Sequence, residues 1–415
     1  MVTTEPRLLR EPPPFRHDRA VHTWIGIKAL SDAGDAIWTI ALAWTAVQIT
    51  NPALAGVIVA AGTVPRAVIL LFGGVLADRA NARHVMVVFN SIRIAVLVGV
   101  ALWVLASPPT VAVLLIAAIG FGICDAFYEP SAGTIARQLV RTEDLPTYSA
   151  VMQTATRLGT MGGAAIGGFL VAHAGMAGSS TANAVTFALV VAFIAIWLRP
   201  RFALPRDNKE SPLRGILKGF THLRDAPTTR TLVIALSGLN LAVGPALGIG
   251  LALRATEQGW GAQSVGIFEA LVGAGAAIGA ISVAKWRPRR EANAGFWALV
   301  VQGAAIVCLG IGPVWLVGAG TFVIGLSAGY ASVLLSSTFA ATVDTSFLGR
   351  MSAITRLGDD CLMPLAMAAF GAIASVTELW VPFTLYGAGL AALMIFPLRN
   401  QVLRTMSLRP ANKSE

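Results

Sequence analysis

Thr154–Gly163 reads TATRLGTMGG and Ala353–Leu362 reads AITRLGDDCL. The tetrapeptide Thr-Arg-Leu-Gly begins at Thr156 and again at Thr355, 199 residues later in a chain of 415. A four-residue match carries weight only if the two copies hold equivalent places, so the rest of the chain has to be read around them.

The chain is 55% hydrophobic and 13% charged, with a mean hydropathy of +0.70, whereas soluble domains carry about 25% charged residues. This is the composition of a membrane protein. A hydrocarbon layer of about 30 Å takes roughly 20 apolar residues as helix, because lipid offers bare backbone no hydrogen-bond partner. Counting such segments gives about twelve. They fall in an N-terminal bundle over residues 22–198 and a C-terminal bundle over 230–397, separated by a linker at 199–229 and flanked by tails at 1–21 and 398–415. The two Thr-Arg-Leu-Gly copies then open the fifth and the eleventh spans, one half-chain apart. The expectation is an all-α membrane protein of two six-helix pseudo-repeats. Parallel repeats of this kind place a substrate site between them near the midplane and expose it to each side in turn.

The net charge of +10 follows the topology. Basic residues fill the N-terminal tail (Arg7, Arg10, Arg16, Arg19), the even connections (Arg79 and Arg83, Arg137 and Arg141, Lys285 to Arg290, Arg350), the central linker and the C-terminal tail. Of the odd connections, only the seventh carries one, Arg254. Both termini and the even loops are therefore expected in the cytosol of a cell inner-membrane protein. The charge implies no nucleic-acid partner, and no obligate oligomer is expected. Cys124, Cys308 and Cys361 lie in apolar runs without paired spacing. Neither a metal site nor any other cofactor is expected, and no Walker loop or nucleophile–base–acid set suggests an enzyme. Within the linker, PLRGILKGFTHLRD (Pro212–Asp225) has apolar residues at helical spacing with bases between them, as in a helix lying on the cytosolic membrane face.

GGVLADRANARHVMV (Gly73–Val87) crowds charge between two oily segments. With SDAGDAIWTIALAWTAVQIT in the first span, GFGICDAFYEPSAGTIARQLV in the fourth and ATRLGTMGGAAIGGFL in the fifth, it resembles the major facilitator superfamily. The resemblance is to its drug and siderophore exporters, the branch of the macrolide efflux pumps and the enterobactin exporter. Gly74, Asp78, Arg79 and Arg83 match the signature loop between helices 2 and 3, although Asn81 and Ala82 replace the usual small or acidic residue and base. The resemblance implies a conformational latch in which Asp78 docks on the start of helix 11, with Arg137 as a second partner. An aspartate beside a helix N-terminus gains roughly 0.3 to 1 kcal/mol from the dipole.

A charge at mid-bilayer costs about 2.5 to 3.5 kcal/mol on insertion scales, so it is kept for pairing or for work. Asp32, Asp35, Arg66, Arg93, Arg157 and the Asp359–Asp360 pair fall near mid-depth, with Asp125 and Glu129 toward the cytosolic half of the fourth span and Glu269 nearer the outside. All five histidines lie at span ends or in loops, so a proton carrier inside the membrane must be a carboxylate. The candidates are Asp35, which matches the acidic position of the resembled family, then Glu129, Asp125, Glu269 and Asp359. Asp125 and Glu129 share a helix face with no base between them. Lys28 with Asp32, and Arg356 with Asp359 and Asp360, have the spacing of intrahelical ion pairs. Arg157 has no acid within four residues; the resembled fold sets helix 1 beside helix 5 and makes Asp35 its candidate partner. Arg93, Arg157 and Arg356 are the expected charge partners. Trp38, Phe127, Tyr128, Asn240, Phe268 and Tyr330 are candidates for a cavity lining a bulky guest, with ordinary packing the competing explanation for each. Trp24, Trp197, Trp286, Trp315 and Trp380 near span ends read as interfacial anchors.

The leading expectation is a secondary exporter that exchanges inward protons for a lipophilic drug, antibiotic or siderophore-like metabolite. The alternatives are a lipid or lysolipid flippase on the same scaffold and a transport-inactive membrane sensor or scaffold.

Overall fold

The computed structural model describes residues 13–72, 81–202, 212–344 and 347–406. Gly74, Asp78 and Arg79 of the expected latch, and the side chain of Arg66, lie outside the described residues. The secondary structure among them is helical throughout. The helices are α1 (Arg19–Ile49), α2 (Pro52–Phe72), α3 (Ala82–Ala106), α4 (Val111–Leu139), α5 (Leu145–Ile196) and α6 (Pro212–Asp225). There follow α7 (Pro227–Glu257), α8 (Ala262–Lys285), α9 (Glu291–Ile311), α10 (Val314–Thr342), α11 (Leu348–Val376), α12 (Trp380–Leu398) and α13 (Gln401–Thr405).

Nine of the described helices are long and apolar enough to cross a bilayer. α1 is not among them, because Lys28, Asp32 and Asp35 sit in its middle. At 52 residues α5 would measure about 78 Å if straight, far beyond one hydrocarbon layer. It breaks at Gly175, whose φ of 59° and ψ of −160° lie where a side chain is strained. Gly163 before the break packs on Ala33 of α1, and Asn183 after it packs on Gly34. The two arms therefore run side by side against α1.

α7 is also interrupted. Pro245 lacks the N–H that an α-helix needs, and the next turn, Ala246–Gly250, is a π-helix before regular winding resumes at Leu251. The two Thr-Arg-Leu-Gly copies occupy matching places: Gly159 of α5 faces Ala29 of α1, and Gly358 of α11 faces Ser237 of α7.

Among the close contacts between the N-terminal and the C-terminal helices, three lie toward one end of the molecule. Gly168 of α5 meets Gly266 of α8, where a methyl on Gly266 would lie 2.8 Å from the Gly168 Cα. Gly56 of α2 meets Gly371 of α11 in the same backbone-to-backbone way. Near the ends of α1 and α7, Gln48 Nε2 donates to Thr256 Oγ1 at 2.8 Å.

At the opposite end the N-terminal helices are tied to one another. The Arg201 guanidinium bridges both oxygens of Asp18, the N-cap of α1, while the Arg201 and Phe202 amides donate to the Gln138 carbonyl at 2.9 and 3.0 Å. Burial alone would push the Asp18 carboxyl up; hydrogen bonds from Arg201 and the Val21 amide outweigh it and hold its pKa below the ordinary value. Arg83 donates to the carbonyls of Ile194 and Ala195, which end α5 without a following turn to bond them. α6 leans on the start of α11, with His222 stacked on Phe347 at 4.0 Å and Leu223 packed among Val343, Met351 and Ile354. Trp197, Trp286, Trp315 and Trp380 are exposed, as interfacial anchors require. Trp24 is not: it is buried and donates to the Tyr148 hydroxyl at 3.0 Å, because its end of α1 is covered by α5.

Candidate functional site

Lys28, Asp32 and Asp35 recur at helical spacing and so lie along one face of α1, and Asp125 and Glu129 along one face of α4. α3 brings Arg93 between them. Lys28 is hydrogen-bonded to Asp32 on its own helix and reaches Glu129 Oε1 at 3.2 Å. Arg93 is hydrogen-bonded to Asp125 and stands 3.8 Å from Asp35 Oδ1. Each base is thus shared by one acid from α1 and one from α4.

The burial of these groups is unequal. Arg93 is fully buried, and its guanidinium lies 5.0–5.2 Å from the ring centres of Phe121, Tyr128 and Phe187. Desolvating a charge this completely is offset only by close pairing, here assisted by three ring faces. The acids look outward from it: the side chains of Asp35, Asp125 and Glu129 are 30, 29 and 40% exposed. Fixed bases lie behind, and carboxylates line the space in front.

That space comprises two cavities that share Asp32, Asp35 and Thr39. One, of about 640 Å³, is bounded mainly by α1, α2, α4 and α5, with Arg356 and Met367 reaching in from α11. The other, of about 700 Å³, lies between α1 and α5 on one side and α7, α8 and α10 on the other. It contains Arg157, Asn240 and Glu269. Asn240 Nδ2 also donates to Asp359 Oδ2 at 2.7 Å, which joins α7 to α11.

Several expectations change. Asp125 and Glu129 do have bases between and beside them, but on α1 and α3, which spacing along α4 cannot reveal. The ion pair to Asp35 comes from Arg93 rather than Arg157, because the long Arg93 side chain, fully buried, reaches it from α3. Arg157 faces the cavity, and among the described residues its side chain has neither a hydrogen bond nor an ion pair. Glu269, on the opposite wall, is in the same condition.

Of the expected cavity aromatics, Trp38 reaches the first cavity but is 5% exposed and stacks on Phe121 at 4.9 Å. Phe127 stacks on Phe89 at 4.5 Å, Tyr128 is buried against Lys28 and Arg93, and Phe268 is buried against Trp260. These three and Tyr330 are absent from the walls of both cavities. Arg83, expected in a latch between the bundles, is held by α5 of its own bundle, and Arg137 is exposed near the end of α4. Cys124 is buried and Cys308 and Cys361 are half-buried, all as free thiols.

A model of the Major Facilitator Superfamily matches residues 26–360. The enterobactin exporter EntS of Escherichia coli O1:K1 / APEC is 28% identical over 295 residues, covering 69% of this chain and 68% of that protein. Among solved structures, a POT family transporter in complex with 5-aminolevulinic acid matches with a TM-score of 0.74 at 12% identity, over 95% of this chain and 98% of that one. The nucleoside transporter NupG matches with a TM-score of 0.70 at 12% identity, over 92% of this chain and 98% of that one. At such identities the two solved structures speak for the fold alone. The family match spans most of the helical region and agrees with its span-length helices and its cavity between helix bundles, and the chain belongs to the Major Facilitator Superfamily, as a multi-pass transport protein of the inner membrane.

Proposed function

We propose that this secondary transporter is a proton-coupled exporter of a lipophilic small molecule, a drug, an antibiotic or a siderophore-like metabolite. Twelve spans arranged as bundles over 22–198 and 230–397 leave both termini in the cytosol, on the side of the basic loops. The end closed by Gly168, Gly56 and Gln48 is then the external one, and the cavities open inward.

The observation that carries the reading is Arg93 shared between Asp35 and Asp125. One guanidinium compensates one carboxylate well; the second, Asp35, makes only the longer contact of 3.8 Å. A proton arriving at Asp35 from outside would release Arg93 to Asp125 alone, and opening inward would return the proton to the cytosol as Arg93 swings back. Each inward charge contributes about 2.3 kcal/mol per 100 mV of membrane potential. Lys28 between Asp32 and Glu129 repeats the arrangement one step nearer the cytosol.

Dye and drug efflux from cells or inverted vesicles, with and without an uncoupler, tests this. Uncoupler-sensitive efflux that is lost in Asp35→Asn is expected. Efflux indifferent to the uncoupler, or an Asp35→Asn protein pumping at the parent rate, would reject the coupling scheme.

A further inference from the structure

Within the second cavity, two side chains of opposite charge face the same space with no counter-ion of their own among the described residues. Arg157 projects from the first arm of α5, in the N-terminal bundle, and Glu269 from α8, in the C-terminal bundle. The other acids of this cavity already hold bases: Asp32 has Lys28 and Asp35 has Arg93. Arg157 and Glu269 do not pair with each other either, being more than the 4.0 Å of an ion pair apart across a cavity of about 700 Å³. The remaining wall is largely apolar, including Ile40, Met161, Ala164 and Val272. Charges facing an otherwise oily space are costly unless something completes them.

We propose that this cavity binds a zwitterionic cargo with an apolar body, Arg157 taking its anionic group and Glu269 its cationic group. The proposal rests on reading the cavity as the cargo site and specifies what the cargo must carry. A zwitterion compensates both residues at once and leaves the net charge of the cavity unchanged, so loading does not disturb the nearby Asp35–Arg93–Asp125 set. A monocation would satisfy Glu269 and leave Arg157 facing an added positive charge; an anion would do the reverse. Because the two residues belong to different bundles, the cargo also spans the interface between them, so a complete ligand favours the bundles coming together around it.

Three fluorescent probes on one skeleton separate the possibilities. Nε-dansyl-lysine is the zwitterion, dansylcadaverine lacks its carboxylate, and 6-(dansylamino)hexanoate lacks its amine. Titrated into the detergent-purified full chain at low ionic strength, the zwitterion is expected to bind about tenfold or more tightly than either analogue. Arg157→Gln should bring it down to the level of dansylcadaverine, and Glu269→Gln to that of the hexanoate. Because either variant could fail to fold, the charge exchange Arg157→Glu with Glu269→Arg is the companion; it should restore the preference for the zwitterion. Dansylcadaverine binding as tightly as dansyl-lysine, the hexanoate doing so, no saturable binding of dansyl-lysine, or single variants that keep the parent's preference would each overturn the proposal. Soluble amino-acid-like metabolites and zwitterionic lysolipids share this chemistry. Displacement of bound dansyl-lysine by 1-lauroyl-lysophosphatidylethanolamine but not by free tryptophan supports it with a lipid cargo, and the opposite pattern supports it with a soluble one. The titration uses no gradient, so loss of zwitterion preference with uncoupler-sensitive efflux intact rejects only this proposal. Preference intact without such efflux rejects only the proton-coupled export.

Discussion

Gly266→Ala should turn the transporter toward the opposite face of the membrane. A methyl group at Gly266 would lie 2.7 Å from the Ala164 carbonyl oxygen, 2.8 Å from the Gly168 Cα and 3.0 Å from the Gly168 nitrogen, all of them backbone atoms with no rotamer to move. Carbon contacts are comfortable at about 3.5 to 4.0 Å, so α5 and α8 must separate locally by roughly 1 Å. Overpacking of this kind costs about 1 to 3 kcal/mol. The cost falls only on the arrangement in which α5 and α8 touch, so it becomes a shift of about 5- to 150-fold toward the arrangement in which they part. Accessibility reads this directly. In a chain whose Cys124, Cys308 and Cys361 are replaced by alanine, Thr39→Cys places one thiol on the wall shared by both cavities. A membrane-impermeant maleimide added outside intact cells should label it at least about fivefold faster when Gly266→Ala is present. Gly99→Ala is the control, because a methyl there meets nothing within 4 Å. Equal labelling rates in Gly266→Ala and Gly99→Ala would refute the idea that this contact closes the outer end.

Four further outcomes can be checked. Arg93→Gln leaves two carboxylates without the buried base between them and should cost about 3 to 5 kcal/mol, seen as a lower thermal midpoint in detergent, with partial recovery when Asp125→Asn is added; a single variant as stable as the parent would deny Arg93 its pairing role. Gly159→Ala puts a methyl 2.2 Å from the Ala29 carbonyl, whereas Gly358→Ala meets the Ser237 side chain at 3.0 Å, so the first should lower stability by about 1 to 3 kcal/mol and the second by less; melting curves with the reverse order would contradict the packing described. The lowered pKa of Asp18 means that its ionised form is favoured by folding. The stability gap between parent and Asp18→Asn should accordingly be full at neutral pH and shrink as pH falls below about 4, the ordinary carboxylate range; a gap that widens toward acid would show the sign to be wrong. Asp78→Asn, in the loop that resembles the superfamily's latch, should depress transport while leaving dansyl-lysine binding intact, and undiminished transport would remove the latch from the mechanism.

Helix positions and the internal repeat were legible because they depend on local quantities: length, apolarity, breakers and the spacing of Thr156–Gly159 from Thr355–Gly358. Which side of each helix faces inward was not. In a soluble protein an apolar stripe marks the buried face, but here lipid and protein interior are both apolar, and the stripe disappears. Phe127 and Tyr128 show the consequence. They are adjacent in sequence, about 100° apart around α4, and one stacks on Phe89 while the other is buried beside Arg93. Charged residues were located better than aromatics, since a charge in oil must find a polar or charged environment whatever the rotation. Even so, spacing along one helix points to Lys28 with Asp32 and the resembled fold to Arg157 with Asp35, and neither reaches Lys28 with Glu129 or Arg93 with Asp35 and Asp125. Those pairs depend on how α1, α3 and α4 meet. The signal that could have pointed to them was the matched ladder of acids, Asp32 and Asp35 on one span against Asp125 and Glu129 on another, with one base per rung.

The π turn at Ala246–Gly250 holds one residue more than an α-helical path over the same rise would need. α7 therefore contains a spare position. Deleting a single residue there would let the turn relax to ordinary winding, keeping Asn240 at the cavity and Thr256 opposite Gln48, whereas a deletion between these two residues that left the π turn in place would rotate one of them about 100° away from its partner. Between Asn240 and Thr256, shortening of this helix by one residue should thus be tolerated at the π turn.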